Sequence, residues 1–359
     1  MALKPLPAKP REKHRFSDIL ADAEVAARFQ KVREWFFLRE STYDVTSRCN
    51  LHCQGCYYYQ GEKQHARPVT DPARWGELLR REKERGITFV VLAGAEPALE
   101  PAILAACYQE ISLGCIATNG LKVIPPEVDY RIHLSVWGDD ATSQRVRGAR
   151  DMLARQLAGY QGDERAVFVY TFTPHNIAES HGVVERLARA GCQVTFNVFS
   201  APEGYTGDLR HTAASLHAMR QAMLELLDAF PEHVLFSPYN AQVHAHPAGL
   251  HRLFGCSYPR QNESSTVGLG RTFRQYRTDL AYDRAAGCCV PDTTCDDCRH
   301  YAAGSAVVTA RLFRHATHPE TFRAWLDYVD TYLAVWVRGY PKGRNLCPEL
   351  TAPPGPQAD

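Results

Sequence analysis

Short runs rich in β-branched and aromatic residues alternate with stretches of helical spacing over most of the first half of this chain. The runs are Thr42–Thr46, Ile87–Leu92, Cys115–Thr118, Arg131–Val136, Val167–Thr173 and Val194–Phe199. Between most of them lie the helix-like segments Pro72–Arg85, Pro101–Ile111, Ala141–Tyr160 and Ile177–Ala190. The third and fourth runs are joined by a short connection with Pro125 and Pro126, where a full helix is not expected. Strand and helix in alternation imply right-handed crossovers and hence a parallel sheet. The sequence therefore predicts an α/β fold, a partial (β/α)6 TIM-type barrel, whose functional loops leave the C-terminal ends of its strands.

The flanks break this rhythm. Phe16, Ile19, Leu20, Val25 and Phe29 are spaced for an amphipathic helix over Phe16–Phe37. Past residue 202 the sequence predicts a helix over Ser215–Phe230 and a short strand over Val234–Ser237. A Gly/Arg/Cys-rich stretch, Leu253–Ala303, and a last helix over Pro319–Val337 follow. The expected units are a leader and helix at 1–40, the barrel at 41–240, a smaller Cys-rich C-terminal extension at 241–347, and a disordered tail at 348–359.

Charge excludes some partners. Lys and Arg number 41 against 40 Asp and Glu, a net of +1, so no overall field draws the chain to nucleic acid or to a membrane surface. The apolar stretch Trp325–Val337 is interrupted by Asp327 and Asp330 and is too short to span a bilayer. The opening MALKPLPAKPREKHRF lacks the apolar core of a secretory signal, so a cytoplasmic location is expected. In a reducing compartment the 12 cysteines, which are clustered, point to metal or redox chemistry and away from disulfides.

Cys49, Cys53 and Cys56 form C-x3-C-x2-C directly after the first predicted strand. Soft sulfur ligands select iron–sulfur clusters or zinc. Three thiolates leave one iron of a cubane open, whereas zinc would need a fourth ligand such as His52. Cys107, Cys115 and Cys192 stand apart in apolar settings and read as inert buried thiols.

With this loop and the motifs that follow it, the sequence resembles the radical S-adenosylmethionine superfamily over residues 40 to 202. Gly94-Ala95-Glu96-Pro97 stands after the second strand, where that family carries Gly-Gly-Glu-Pro. Thr118-Asn119-Gly120, Leu134-Ser135-Val136-Trp137-Gly138 with Arg147-Gly148, Thr173-Pro174-His175-Asn176 and Phe196-Asn197 follow in the family's order. The resemblance implies a 4Fe–4S cluster on Cys49, Cys53 and Cys56, and S-adenosylmethionine bound by Gly94, Glu96, Asn119, Ser135, Arg147 and Asn197. Glu96 would meet the methionine ammonium, and Arg147 the carboxylate. It departs from the family twice: Gly55 stands before the third cysteine, where an aromatic side chain often packs near adenine, and Ala95 replaces the second glycine. Tyr57 and Tyr58 are candidate substitutes for the aromatic.

Cys256, Cys288, Cys289, Cys295, Cys298 and Cys347 make a second set. Cys256, Cys288 or Cys289, Cys295 and Cys298 supply four ligands, which resembles the auxiliary-cluster extensions called SPASM or twitch domains, although the spacing differs. A second, auxiliary 4Fe–4S cluster is the leading expectation and a structural zinc the alternative. Histidines 244, 246 and 251, with Tyr239 and Asn240, read equally well as the substrate side of the barrel or as loop surface, and the basic run Arg271, Arg274 and Arg277 reads as a solvated face in preference to a phosphate or carboxylate site.

The resemblance implies reductive cleavage of S-adenosylmethionine and hydrogen abstraction from a small molecule such as a sugar, nucleoside, lipid or natural product. An electron donor such as flavodoxin or ferredoxin is the expected protein partner. Modification of a ribosomal peptide and a non-catalytic zinc or iron–sulfur protein are the rival expectations.

Overall fold

The computed structural model describes residues 14–35, 37–60, 67–202, 204–247, 274–282, 298–299 and 318–340. Its centre is a sheet of parallel strands: β1 (Glu40–Asp44), β2 (Phe89–Ala93), β3 (Gly114–Thr118), β4 (Arg131–Val136), β5 (Ala166–Phe172) and β6 (Val194–Val198), with the short β7 (Gln275–Tyr276) outside β1. The order is β6-β5-β4-β3-β2-β1-β7. Sequential strands pair as neighbours, as the expected partial barrel requires.

The helices are α1 (Phe16–Ile19), α2 (Ala23–Arg33), α3 (Tyr57–Gln60), α4 (Pro72–Glu84), α5 (Pro101–Glu110), α6 (Asp140–Arg147), α7 (Met152–Tyr160), α8 (Ser180–Arg189), α9 (Ala213–Ala229), α10 (Pro238–His244) and α11 (Pro319–Trp336). Ile132, Leu134 and Val136 of β4 join the large apolar core shared with Leu78, Leu104, Leu153 and Val184 of the covering helices. Arg131, His133 and Ser135 alternate with them and face the barrel interior.

The N-terminal end of that interior is filled by α11. Phe89, Cys115 and Val167, at or near the starts of their strands, pack with Trp325, Tyr328, Val329 and Leu333. Arg131 donates to the carbonyls of Val335 and Ala334 at 3.1 and 3.0 Å, and His133 Nε2 donates to Val335 O at 2.9 Å. These bonds satisfy the helix's last carbonyls, which have no partner within the helix.

Three expected elements differ. The helix over Phe16–Phe37 is two, because Asp22 starts a new one by accepting from the amides of Glu24 and Val25. The segment Ala141–Tyr160 is also two helices: Gly148 and Asp151 both have left-handed backbone, and Asp140 Oδ1 receives the Leu153 amide at 2.8 Å. The strand over Val234–Ser237 reduces to a bridge between Val234 and Val194, since Ser237 instead caps α10 by accepting the Asn240 amide.

The basic run serves the sheet edge. Arg274 lies 3.5 Å from the buried Glu82 carboxylate and 4.4 Å from the centre of the Tyr282 ring, and Arg277 pairs with Asp279 at 3.0 Å. Arg271 lies outside the described residues, as do Cys256, Cys288, Cys289, Cys295, Cys347 and His251. His244 is buried and stacked on Tyr328 of α11. Cys107, Cys115 and Cys192 are buried, as expected. No helix among the described residues is long and apolar enough to cross a membrane.

Candidate active site

Beyond β1 the chain runs directly into the Cys49–Cys56 loop, which delivers three half-buried thiols at the C-terminal end of the first strand. Each sulfur faces an N–H donor. The Leu51 amide lies 3.4 Å from Cys49 Sγ, and Arg147 Nε lies 3.4 Å from Cys53 Sγ. The amides of Tyr58 and Tyr59, in the first turn of α3, bond to Cys56. Burial pushes the Cys49 and Cys56 thiols up, so a metal must displace their protons to bind.

Three soft thiol donors suit an iron–sulfur cluster or zinc. Zinc bonded to sulfur at about 2.3 Å gathers its ligands tightly into a tetrahedron. Among the described residues no three His, Cys, Asp or Glu side chains form a group that could hold a metal ion in this way. His52 is exposed, with its ring tilted against Tyr59 at 6.5 Å between centroids. A cubane would take one thiolate per iron, and the three cysteines of this loop could supply three of them.

Arg147 is the last residue of α6, and the break between α6 and α7 is what places it. Because the helix stops there, the Val146 carbonyl is left to accept the Gln54 amide at 2.7 Å, tying the cysteine loop to the end of α6. Arg147 Nη1 donates to Ser135 O at 2.5 Å, and its guanidinium stands 5.8 Å from the centre of the Trp137 ring. The residue is only 5% exposed. Its positive charge also acts on the buried Glu96 carboxylate, whose proton affinity it lowers.

Glu96 is also buried, at 1% exposure. Its Oε1 accepts from the Ala98 amide at 3.0 Å and from Thr118 Oγ1 at 2.5 Å, while Oε2 accepts from the Asn119 amide at 2.7 Å. Burial raises the carboxyl's proton affinity, and those three donors oppose the rise. The carboxylate thus ties the end of β2 to the end of β3.

The glycine replaced by Ala95 is not missed. The left-handed conformation falls on Gly94, at φ 116°, where a Cβ would stand 2.9 Å from Thr46 O. Ala95 is not among the residues with positive φ, and its amide donates to Thr46 O at 2.9 Å.

Asn119 Nδ2 donates to Asn50 Oδ1 at 2.7 Å and lies 3.9 Å from Cys49 Sγ. Ser135 Oγ accepts from Trp137 Nε1 at 3.1 Å. Gly94, Glu96, Asn119, Ser135 and Arg147 therefore gather around the cysteine loop. Asn197 lies on β6 opposite Thr171 of β5. Of the second cysteine set, Cys298 is described: it is buried, and the amide of the adjacent Arg299 donates to Ser200 Oγ at 2.8 Å, just past β6.

No protein-family model matches the sequence. A curated protein of Methanopyrus kandleri, described as a probable GTP 3',8-cyclase, is 33% identical over 125 residues, covering 33% of this chain and 36% of that protein. The chain thus spans little more than a third of the length of this relative. The fold resembles that of Streptococcus suis SuiB bound to precursor peptide SuiA, with a TM-score of 0.52, 14% identity, and coverage of 83% of this chain and 70% of SuiB. It also resembles histidine-tagged anSMEcpe with bound AdoMet, with a TM-score of 0.50, 12% identity, and coverage of 79% and 83%. All three are radical S-adenosylmethionine proteins.

The chain is thus similar to radical S-adenosylmethionine proteins, in sequence over 125 residues and in fold over most of its length.

The site also holds residues that the motifs do not announce. Gln156 of α7, 1% exposed, donates to Asn119 O at 2.8 Å and Ser135 O at 2.9 Å, and so spaces the ends of β3 and β4. A sequence signal existed: Gln156 shares the helix face of Leu153 and Tyr160, a polar residue on an otherwise buried stripe. Phe199, Tyr205 and Asp208, beyond β6, meet the cysteine loop and belong to no motif.

Proposed function

We propose that this chain reductively cleaves S-adenosylmethionine and uses the product radical to remove hydrogen from a small polar molecule. The observation that supports this most directly is the trio of thiols at the C-terminal end of β1, each met by an N–H donor, with the buried Arg147 guanidinium against one of them. Cys49, Cys53 and Cys56 would hold a 4Fe–4S cluster there, which would supply the electron for reductive cleavage of the sulfonium's carbon–sulfur bond.

The chain's own residues do the rest. The N–H groups of Leu51, Arg147, Tyr58 and Tyr59 spread the negative charge on the sulfurs. Arg147 offers its charge to the methionyl carboxylate, while Asn119, Ser135 and Asn197 offer amide and hydroxyl groups to carboxylate or ribose. Glu96 holds the Gly94–Pro97 loop that receives the ammonium. Ser135, Thr171 and Asn197, near the C-terminal ends of β4 to β6, give this end of the barrel a polar character that favours a sugar, nucleoside or similar molecule over a lipid. A flavodoxin or ferredoxin would deliver the electron, and Cys256, Cys288, Cys295 and Cys298 would hold an auxiliary cluster.

A second reading, modification of a ribosomal peptide, draws on the likeness of fold to SuiB, which was solved with its precursor peptide. The test is anaerobic reconstitution with iron and sulfide, followed by dithionite and S-adenosylmethionine. Release of 5'-deoxyadenosine and methionine is expected, and zinc bound without sulfide would overturn the proposal.

A further inference from the structure

We infer that Phe199 takes over, in this chain, the adenine contact that relatives assign to an aromatic side chain before the third cysteine, the position held here by Gly55. The inference rests on the S-adenosylmethionine reading above. Gly55 has φ 68°, and a Cβ built on it would stand 2.8 Å from Phe199 Cζ and 3.0 Å from Cε2. The Phe199 ring therefore occupies the space into which a side chain at position 55 would grow. It arrives from the last of the six barrel strands, since Phe199 follows β6 whereas Gly55 follows β1.

The ring is part of an aromatic wall. Trp137, from the end of β4, meets it at 5.7 Å between centroids, and Tyr205 meets it at 5.6 Å. Trp137 in turn lies beneath Arg147, whose Nε faces Cys53. The wall is thus continuous with the cysteine site. Polar contacts hold it closed: Gln54 Nε2 donates to Asp208 Oδ1 at 3.1 Å and Tyr205 Oη at 3.4 Å, and His175 Nε2 reaches Asp208 Oδ2 at 3.0 Å. The candidate substitute Tyr58 is 2% exposed and packed edge-on against Tyr59, whereas the Phe199 ring, 7% exposed, stands against Gly55. Purines stack on aromatic rings with little demand on the ring's chain position, which permits such an exchange.

The test uses the full chain, reconstituted anaerobically, with calorimetric titration of S-adenosylmethionine and S-adenosylhomocysteine and parallel iron and sulfide counts. Phe199→Leu should keep the cluster and weaken both ligands about ten-fold, whereas Phe199→Tyr should bind as the parent does. Phe199→Ala should match Phe199→Leu, and Tyr57→Ala should leave binding unchanged. Parent-like affinity in Phe199→Leu, or a loss that follows Tyr57→Ala instead, overturns the inference alone. A parent protein that takes up iron and sulfide yet binds neither ligand overturns the S-adenosylmethionine reading and the inference with it. Should Phe199→Ala shed its cluster, the comparison of Leu with Tyr, both large enough to fill the space beside Gly55, decides the matter.

Discussion

Arg147 directs its Nε toward Cys53 Sγ at 3.4 Å while Ser135 O holds its Nη1 at 2.5 Å, so one buried guanidinium joins the end of β4 to the cysteine loop. Hydrogen bonds and positive charge near a ligand sulfur raise a cluster's reduction potential. Arg147→Gln is expected to retain iron, lower the potential by roughly tens of millivolts, and weaken S-adenosylmethionine by about ten-fold or more. Potentiometric titration followed by electron paramagnetic resonance, with calorimetry, checks this. An unchanged potential would remove Arg147 from the cluster's surroundings.

The loop after β2 depends on a single glycine. Gly94→Ala sets a methyl group 2.9 Å from Thr46 O in a backbone conformation with φ 116°. A loss of about 2 kcal/mol or more is expected in urea unfolding. Ala95→Gly should cost less than about 1 kcal/mol, because Ala95 needs no positive φ.

Glu96→Gln probes a carboxylate that accepts three donors. A glutamine amide has one acceptor oxygen, so its NH2 group must face a donor. A cost of roughly 1–3 kcal/mol is expected, with weaker S-adenosylmethionine binding as the loop loosens. Thermal unfolding with and without the ligand measures both effects.

The two cysteine sets should separate on mutation. Cys53→Ala is expected to abolish 5'-deoxyadenosine release and the iron bound at that loop. Cys298→Ala should spare part of the release if the second set is auxiliary. Iron and sulfide counts beside product chromatography distinguish the two outcomes.

Acid should loosen the molecule from its helical floor. Burial lowers His133, bonded to Val335 O, and His244, beside Tyr328, from 6.5 to about 4. The unfolded chain therefore binds more protons between those values. The stability each neutral imidazole contributes is complete above about pH 6.5 and is lost as pH falls toward 4, on the order of 3 kcal/mol per residue. Melting temperatures measured from pH 7.5 down to 4.5 should fall accordingly. A flat profile would contradict the buried neutral state.

Much of this architecture was legible because local patterns and the fold agree. Arg131–Val136 alternates its apolar residues cleanly, and both ends of β4 fall where the sequence predicts. The cysteine loop was legible because its chemistry is compressed into eight residues, 49 to 56. The division between α6 and α7 was not, since Val146 through Met152 keeps a helical apolar spacing and only the backbone of Gly148 and Asp151 breaks it. Nor was Phe199 as a neighbour of Gly55, because their approach depends on closure of the barrel across the span from β1 to β6. The short β7 carries no periodicity at all; Tyr43 stacks on Tyr276 at 5.2 Å, and Tyr276 reaches Glu82 at 2.7 Å.

The placement of α11 sets an order of events during synthesis. Its carbonyls receive Arg131 and His133, yet residues 334 and 335 leave the ribosome long after all six walls of the barrel have emerged. Until then a guanidinium and an imidazole stand at an open base, solvated and not yet bonded to the helix that will cover them. Completion of the interior therefore comes after the strands have formed their sheet, and a ribosome-bound chain stalled before residue 318 should hold its cysteine loop on a scaffold that still lacks its base.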